Sequence, residues 1–149
     1  MLNLLDHRIL IVTGKGGVGK TTLCASLGVA ASRLGAKTLM VETSGARRLS
    51  TLFGKRSGGY ETISVGPNLS TLSITPKEAI EDYIVQQLHF RRLYKLIFEN
   101  RVMGPFIDAV PGLHDAVQLG KVWDLERQVR NGKQVWDLII IDAPATGHG

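Results

Sequence analysis

Residues 14–22 have the composition and spacing of a loop that binds phosphate. The spacing is G-x-x-x-x-G-K-T. Its glycines let consecutive backbone N–H groups turn toward an anion, and the next helix adds about half a unit of positive charge at its N-terminus. Lys20 suits the β- and γ-phosphates of a nucleotide, and the Thr21 hydroxyl suits Mg²⁺. The predicted binding residues are Gly14, Lys15, Gly16, Gly17, Val18, Gly19, Lys20, Thr21 and Thr22.

A simpler interpretation is a glycine-rich turn that joins a strand to a helix. The flanking residues argue against it, because an apolar stretch over 8–13 precedes the loop and helix-forming residues follow Thr22. This context is the one that a phosphate-binding loop requires.

A second chemical element lies near the end of the chain. The apolar run 135–141 ends in Asp142, which is the Walker B arrangement when it occurs downstream of a phosphate loop. We expect Asp142 to bind Mg²⁺ through a water. Thr21 and Asp142 are therefore the predicted metal residues.

The elements around these residues predict one α/β domain over 1–149, with a mostly parallel sheet and helices on both faces. The run 135–142 is rich in β-branched residues, as expected of a central strand. Strands are predicted over 8–13, 37–43, 60–65, 68–75 and 135–142, and helices over 20–34, 47–53, 76–98 and 113–130.

Helix faces and caps follow from residue spacing. Thr75 with Glu78 predicts a capping box, and Asn131-Gly132 predicts the C-terminal cap of the last helix. The apolar face of the first helix is predicted to be Leu23, Leu27, Ala30, Ala31 and Leu34. That of the last helix is predicted to be Leu113, Ala116, Val117, Gly120 and Trp123.

Composition is that of a soluble globular protein, with 44% hydrophobic and 21% charged residues. The formal net charge of +5 comes from 18 basic and 13 acidic residues. The basic residues form no run longer than two, so no strong nucleic-acid signal is present. Cys24 is the single cysteine, which excludes an intrachain disulfide and favours a cytoplasmic protein. No apolar run approaches the ~18 residues of a membrane span.

Lys15 narrows the class of phosphate loop. The string 15–21, KGGVGKT, resembles the deviant Walker A loop of the family that holds the MinD and ParA ATPases, nitrogenase iron protein and ArsA-type ATPases. In that family the extra lysine reaches the nucleotide of the partner subunit. The resemblance implies a homodimer or pseudo-dimer with nucleotide at the interface, and catalytic roles for Lys15 and Lys20.

The residues after the second element resemble one branch of that family. The string 142–149, DAPATGHG, is similar to switch II of ArsA arsenite-pump ATPases and of ATPases that target tail-anchored proteins. The stretches 72–76 and 111–116 also resemble that branch. The implied switch II residues are Asp142, Ala143, Pro144, Thr146, Gly147 and His148. The implied function is Mg²⁺-dependent ATP hydrolysis that switches a client or membrane-partner surface, either as an anion-pump subunit or as a protein-targeting factor. The implied location is the cytoplasm, or peripherally at a membrane through a partner.

Two departures from the family pattern leave alternatives open. Where the family places the aspartate that orients the attacking water, this chain has Ser44. Hydrolysis is then expected to be slow and Ser44→Asp to speed it. If Glu42 has instead taken the catalytic role, Ser44→Asp is expected to help little or to harm through like-charge crowding. The chain also ends just after the Walker B strand, so we expect an incomplete sheet with an exposed edge.

Two other functions remain as alternatives, a ParA- or MinD-like positioning ATPase and a nucleotide-sensing module with little hydrolysis. Glu42 mildly favours the first, and Ser44 favours the second. A nitrogenase-type iron protein is disfavoured because its cluster needs more cysteines than Cys24.

Overall fold

The computed structural model describes residues 4–56, 60–75, 77–82 and 112–146. A short 3₁₀ turn, Leu4–Asp6, precedes the first strand. The main strands are β1 (Ile9–Gly14), β2 (Thr38–Glu42), β3 (Ile63–Gly66), β4 (Leu69–Ser73) and β7 (Leu138–Ala145), and β5 (Val129–Arg130) and β6 (Lys133–Gln134) form a small hairpin. The helices are α1 (Lys20–Arg33), α2 (Arg48–Leu52) and α3 (Leu113–Glu126), and residues 77–82 are also helical.

The main sheet has the strand order β1-β7-β2-β4-β3. All neighbours are parallel except β3, which runs antiparallel to β4. The α/β class with a mostly parallel sheet is therefore confirmed. Strand β7 lies between β1 and β2, so the Walker B strand is central. Within the described sheet the edge strands are β1 and β3, and Ile11 of β1 is 58% exposed.

Helices cover both faces of this sheet, as the sequence predicts. Successive residues of β7 point to opposite faces, so Ile139 and Ile141 join one core cluster while Leu138 and Ile140 join the other. The first cluster includes Ala79 of the helical segment 77–82 and Val122 of α3. The second is packed against α1 and α2.

The predicted apolar faces of the two long helices are right only in part. Leu27 and Ala31 of α1 and Val117 of α3 pack against the core, whereas Leu23, Leu34 and Trp123 are exposed. The buried residues of α1 are Cys24, Gly28 and Ala31, and Leu23 is exposed. Small residues face the sheet because α1 approaches it closely, and a Cβ on Gly28 would lie 2.5 Å from Met40 Sδ. The buried residues of α3 are Gln118, Val122 and Leu125, whereas Trp123 is 59% exposed.

The predicted cap at Asn131-Gly132 is also wrong. Helix α3 ends at Glu126, and Asn131-Gly132 forms the turn of the β5–β6 hairpin. Both residues have positive φ, 53° and 73°, which is the requirement of a tight two-residue hairpin turn.

The capping box at the segment 77–82 is confirmed. The backbone N–H of Glu78 donates to Thr75 Oγ1 at 3.3 Å, and the N–H of Thr75 donates to Glu78 Oε2 at 3.2 Å. The rest of the predicted helix to 98, and the predicted irregular stretch 100–111, lie outside the described residues. Among the helices that are described, none combines the length and apolar character needed to cross a membrane.

Candidate nucleotide site

The glycine-rich loop connects β1 to α1 and curls as the sequence predicts. Gly17 and Gly19 have φ values of 79° and 87°, a region that a Cβ disfavours. The Lys20 ammonium donates to the carbonyl oxygens of Gly14 at 2.9 Å and Lys15 at 3.1 Å. The ammonium is thereby held against the loop, at the N-terminus of α1.

The two predicted metal residues lie in direct contact. Thr21 Oγ1 donates to Asp142 Oδ2 at 2.6 Å, although the residues are 121 positions apart. Asp142 is 5% exposed, and its carbonyl oxygen accepts from the N–H and hydroxyl of Thr43 at 3.3 and 3.1 Å. Parallel pairing places Val12 of β1 opposite Asp142 in the sheet, and this pairing brings the carboxylate to the loop.

A cavity of about 280 Å³ lies in front of these groups. It is bounded by the loop, the start of α1, the turn after β2, the start of α2 and the end of β7. The lining residues are Gly16, Gly17, Gly19, Lys20, Thr21, Ser44, Arg48, Asp142, Ala143, Pro144 and Ala145. Among them, Lys20 and Arg48 are cationic and Asp142 is the single carboxylate. With the positive end of α1, the cavity has the electrostatic character expected of a polyanion site.

Other residues of the predicted loop lie outside this cavity. Val18 is 64% exposed, and Thr22 lines a separate shallow depression between α1 and α2. Lys15 is exposed and does not line the cavity. Its predicted role at a partner subunit's nucleotide stays a prediction.

Glu42 and Ser44 are the two residues between which the sequence left the water-orienting role open, and they differ in their position relative to the cavity. Ser44 lines the cavity, whereas Glu42 is 1% exposed and does not line it. The Ser44 hydroxyl donates to Glu42 Oε1 at 2.7 Å, and the N–H of Leu49 donates to Glu42 Oε2 at 3.2 Å. Glu42 thus ties the turn after β2 to the first turn of α2. The structure does not bring its carboxylate to the cavity, where the predicted catalytic role would need it.

The predicted switch II residues begin in the last half of β7 and extend past its end. Ala143 and Pro144 line the cavity, and the N–H of Thr146 donates to the Gly14 carbonyl at 3.2 Å. Gly147 and His148 lie outside the described residues. The switch II segment is therefore joined directly to the phosphate loop.

Cys24 lies in α1, one turn from Thr21, and packs in the core. Its thiol is fully buried. Burial, with the nearby carboxylates of Asp142 and Glu42, raises the pKa of Cys24 to about 12. A thiol in that state is a core group and neither a nucleophile nor a metal ligand at neutral pH.

Sequence analysis missed Arg48. It follows Arg47 in a pair that looks like part of a solvated surface, and no motif includes it. Only the position of α2 beside the loop shows that Arg48 belongs to the cavity wall. The sequence contained one signal for this position: Arg48 lies four residues after Ser44, which follows β2 and lines the same cavity.

Comparisons with known proteins agree with this geometry. The sequence profile of the anion-transporting ATPase family matches residues 7–149. The chain is 32% identical to ATPase BagA of Mycobacterium tuberculosis, over 94% of this chain and 43% of that protein. It is 30% identical to ATPase GET3 of Mycosarcoma maydis, over 98% of this chain and 42% of that protein. The chain therefore spans less than half the length of these relatives.

Proposed function

The chain belongs to the anion-transporting ATPase family, and on that premise we propose that it binds ATP with Mg²⁺ in the cavity and hydrolyses the bond to the terminal phosphate. The observation that carries the proposal is the 2.6 Å contact between Thr21 and Asp142. This contact brings the two halves of a magnesium–phosphate site together beside Lys20.

Each residue has a distinct task in this proposal. Loop N–H groups bind the phosphate oxygens, and Lys20 neutralises charge between the β- and γ-phosphates. Thr21 and Asp142 would hold Mg²⁺, Thr21 through its hydroxyl and Asp142 through a water. Bound Mg²⁺ would supply positive charge at the β- and γ-phosphates, where negative charge builds up as the γ-phosphoryl group passes to water and ADP departs. This donor set is adequate for Mg²⁺, which keeps several waters and needs few protein ligands.

Lys15 has its proposed task in a second subunit. Its exposed position outside the cavity fits a lysine that reaches the partner's nucleotide in a homodimer or pseudo-dimer. Switch II would then transmit the nucleotide state, since Thr146 is bonded to the loop. The output is a change in a surface that binds a client or membrane-protein partner, with the protein in the cytoplasm or peripheral to a membrane. The family match favours this function over a ParA- or MinD-like positioning role.

A substitution of Lys20 tests the nucleotide site. Lys20→Ala should abolish ATP binding in isothermal titration, because the ammonium would neutralise phosphate charge. The fold should persist, because Lys20 is not among the buried core residues. Lys55→Ala removes an exposed lysine outside the cavity and is the matched control. Circular dichroism spectra of both variants are compared with wild type to check that each variant folds. A folded Lys20→Ala protein with unchanged ATP affinity would overturn the assignment.

Ser44 favours a second candidate, a nucleotide-sensing module with little hydrolysis. Of the described residues around the cavity, Asp142 is the single carboxylate, and it is already hydrogen-bonded to Thr21. No second carboxylate in that part of the chain is positioned to orient an attacking water. Tight ATP binding with negligible phosphate release would support the sensor, whereas sustained release would support the ATPase.

A further inference from the structure

Arg48 is a cation of the cavity wall with no assigned task. It is the first residue of α2, and its side chain is exposed. It lines the same cavity as Lys20, Ser44 and Asp142. Among the described residues its guanidinium makes no hydrogen bond or ion pair, so its donors are available to a ligand.

The position of Arg48 is fixed by the chain around it. Glu42 Oε2 accepts from the N–H of Leu49, the next residue, at 3.2 Å. Glu42 Oε1 accepts from Ser44 at 2.7 Å. A buried carboxylate therefore fixes the first turn of α2 to the end of β2, and the Arg48 backbone cannot drift away from the cavity without breaking these bonds.

Its neighbours in the wall indicate which part of a nucleotide it meets. Ser44 follows β2, and Asp142 marks the metal side of the cavity through its contact with Thr21. The loop glycines and the start of α1, with Lys20 and Thr21, line the same cavity. In the proposed function, Mg²⁺ held at Thr21 and Asp142 would lie beside the terminal phosphates. The cavity residues on the Asp142 side are therefore the ones that a terminal phosphate would meet.

We propose that Arg48 binds the terminal phosphate of the nucleotide in its own subunit and thereby lets the site distinguish a nucleoside triphosphate from a diphosphate. A guanidinium presents two parallel donors that match phosphate oxygens. This inference rests on the proposed ATP-binding function and adds a specificity-determining residue to it. It also assigns Glu42 a positioning role, through α2, in place of direct chemistry.

The test compares ATP and ADP affinities of the intact protein. Isothermal titration with Mg²⁺ and either a nonhydrolysable ATP analogue or ADP is performed on wild type and Arg48→Ala. Loss of a charge-assisted hydrogen bond should weaken the triphosphate by about 10-fold to 100-fold and the diphosphate by less than about 3-fold. Arg48→Lys, which keeps the charge, should recover part of the loss.

Arg47→Asn is the matched control. It removes the same charge one residue away, from a side chain that does not line the cavity, and asparagine tolerates the left-handed φ of 56° found there. Equal weakening of both nucleotides, no weakening by Arg48→Ala, or an equal loss with Arg47→Asn would each overturn the Arg48 assignment. A wild type that binds neither nucleotide would instead overturn the proposed function, so the two failures are distinguishable.

Discussion

Ser44→Asp restores the family's carboxylate at a position where this structure is arranged for a hydroxyl. Ser44 Oγ donates to Glu42 Oε1 at 2.7 Å, and an aspartate cannot donate that bond at neutral pH. Loss of a hydrogen bond to a charged group costs about 1.5–3 kcal/mol. Two carboxylates about 4 Å apart repel by about 1 kcal/mol in water and about 4 kcal/mol at an effective dielectric of 20.

Because Ser44 is exposed, the repulsion lies near the weaker limit, and the total cost is about 3 kcal/mol. In a domain of this size that lowers the melting temperature by on the order of 10 °C. We therefore expect Ser44→Asp to destabilise the turn after β2 and to slow phosphate release. Ser44→Asn is the control, since its amide can still donate to Glu42 and adds no charge.

Thermal unfolding and phosphate release, both at saturating ATP and Mg²⁺, are measured for wild type and the two variants. A Ser44→Asp protein as stable as Ser44→Asn, with faster turnover than wild type, would refute the crowding argument. It would show instead that position 44 needs only the family's carboxylate to orient water.

Three further predictions concern the loop, the core and the buried thiol. Lys15→Ala should reduce turnover more than ATP affinity, by about 10³–10⁵-fold on arginine-finger precedent. A rate that does not depend on protein concentration and does not fall in the variant would exclude the trans role. In urea titrations, Gly28→Ala should lower the free energy of unfolding by about 1–3 kcal/mol, because the added Cβ overpacks against Met40. Gly120→Ala, in open space on α3, should raise it by about 0.5–1 kcal/mol. Cys24 should resist alkylation at pH 8 until the protein unfolds, and rapid labelling of the native protein would contradict this. The free energy of unfolding should fall from about pH 9 toward pH 12, because the native thiol keeps a proton that the unfolded chain releases.

Sequence analysis predicted the phosphate loop, Asp142 and the alternation of strands and helices because each depends on local residue types. The sequence also predicts that Thr21 and Asp142 lie close together, because both are predicted to bind the same metal ion. It does not predict that Arg48 lines the cavity or that Glu42 is buried, because both depend on how α2 packs beside the end of β2.

The errors in helix faces have a common physical cause. Helix α1 presents Cys24, Gly28 and Ala31 to the sheet, and hydrophobicity alone ranks such small residues below leucine. Close approach of helix and sheet outweighs that ranking. The last helix was extended too far because Asn131-Gly132 fits a helix cap and a hairpin turn equally well, and only the pairing of Val129 with Gln134 decides between them.

The central position of β7 has a consequence for the order of assembly during synthesis. Within the described sheet, β1 pairs only with β7, and Ile9 pairs with Ile139, 130 positions later in the chain. Neither β1 nor the loop can gain this support until β7 leaves the ribosome, on the order of 10 s after the loop at typical elongation rates. Such distant pairing is slow to form. The contact between Thr21 and Asp142 therefore forms late, and if the proposed function holds, a nascent chain that lacks β7 would not bind Mg²⁺–ATP productively.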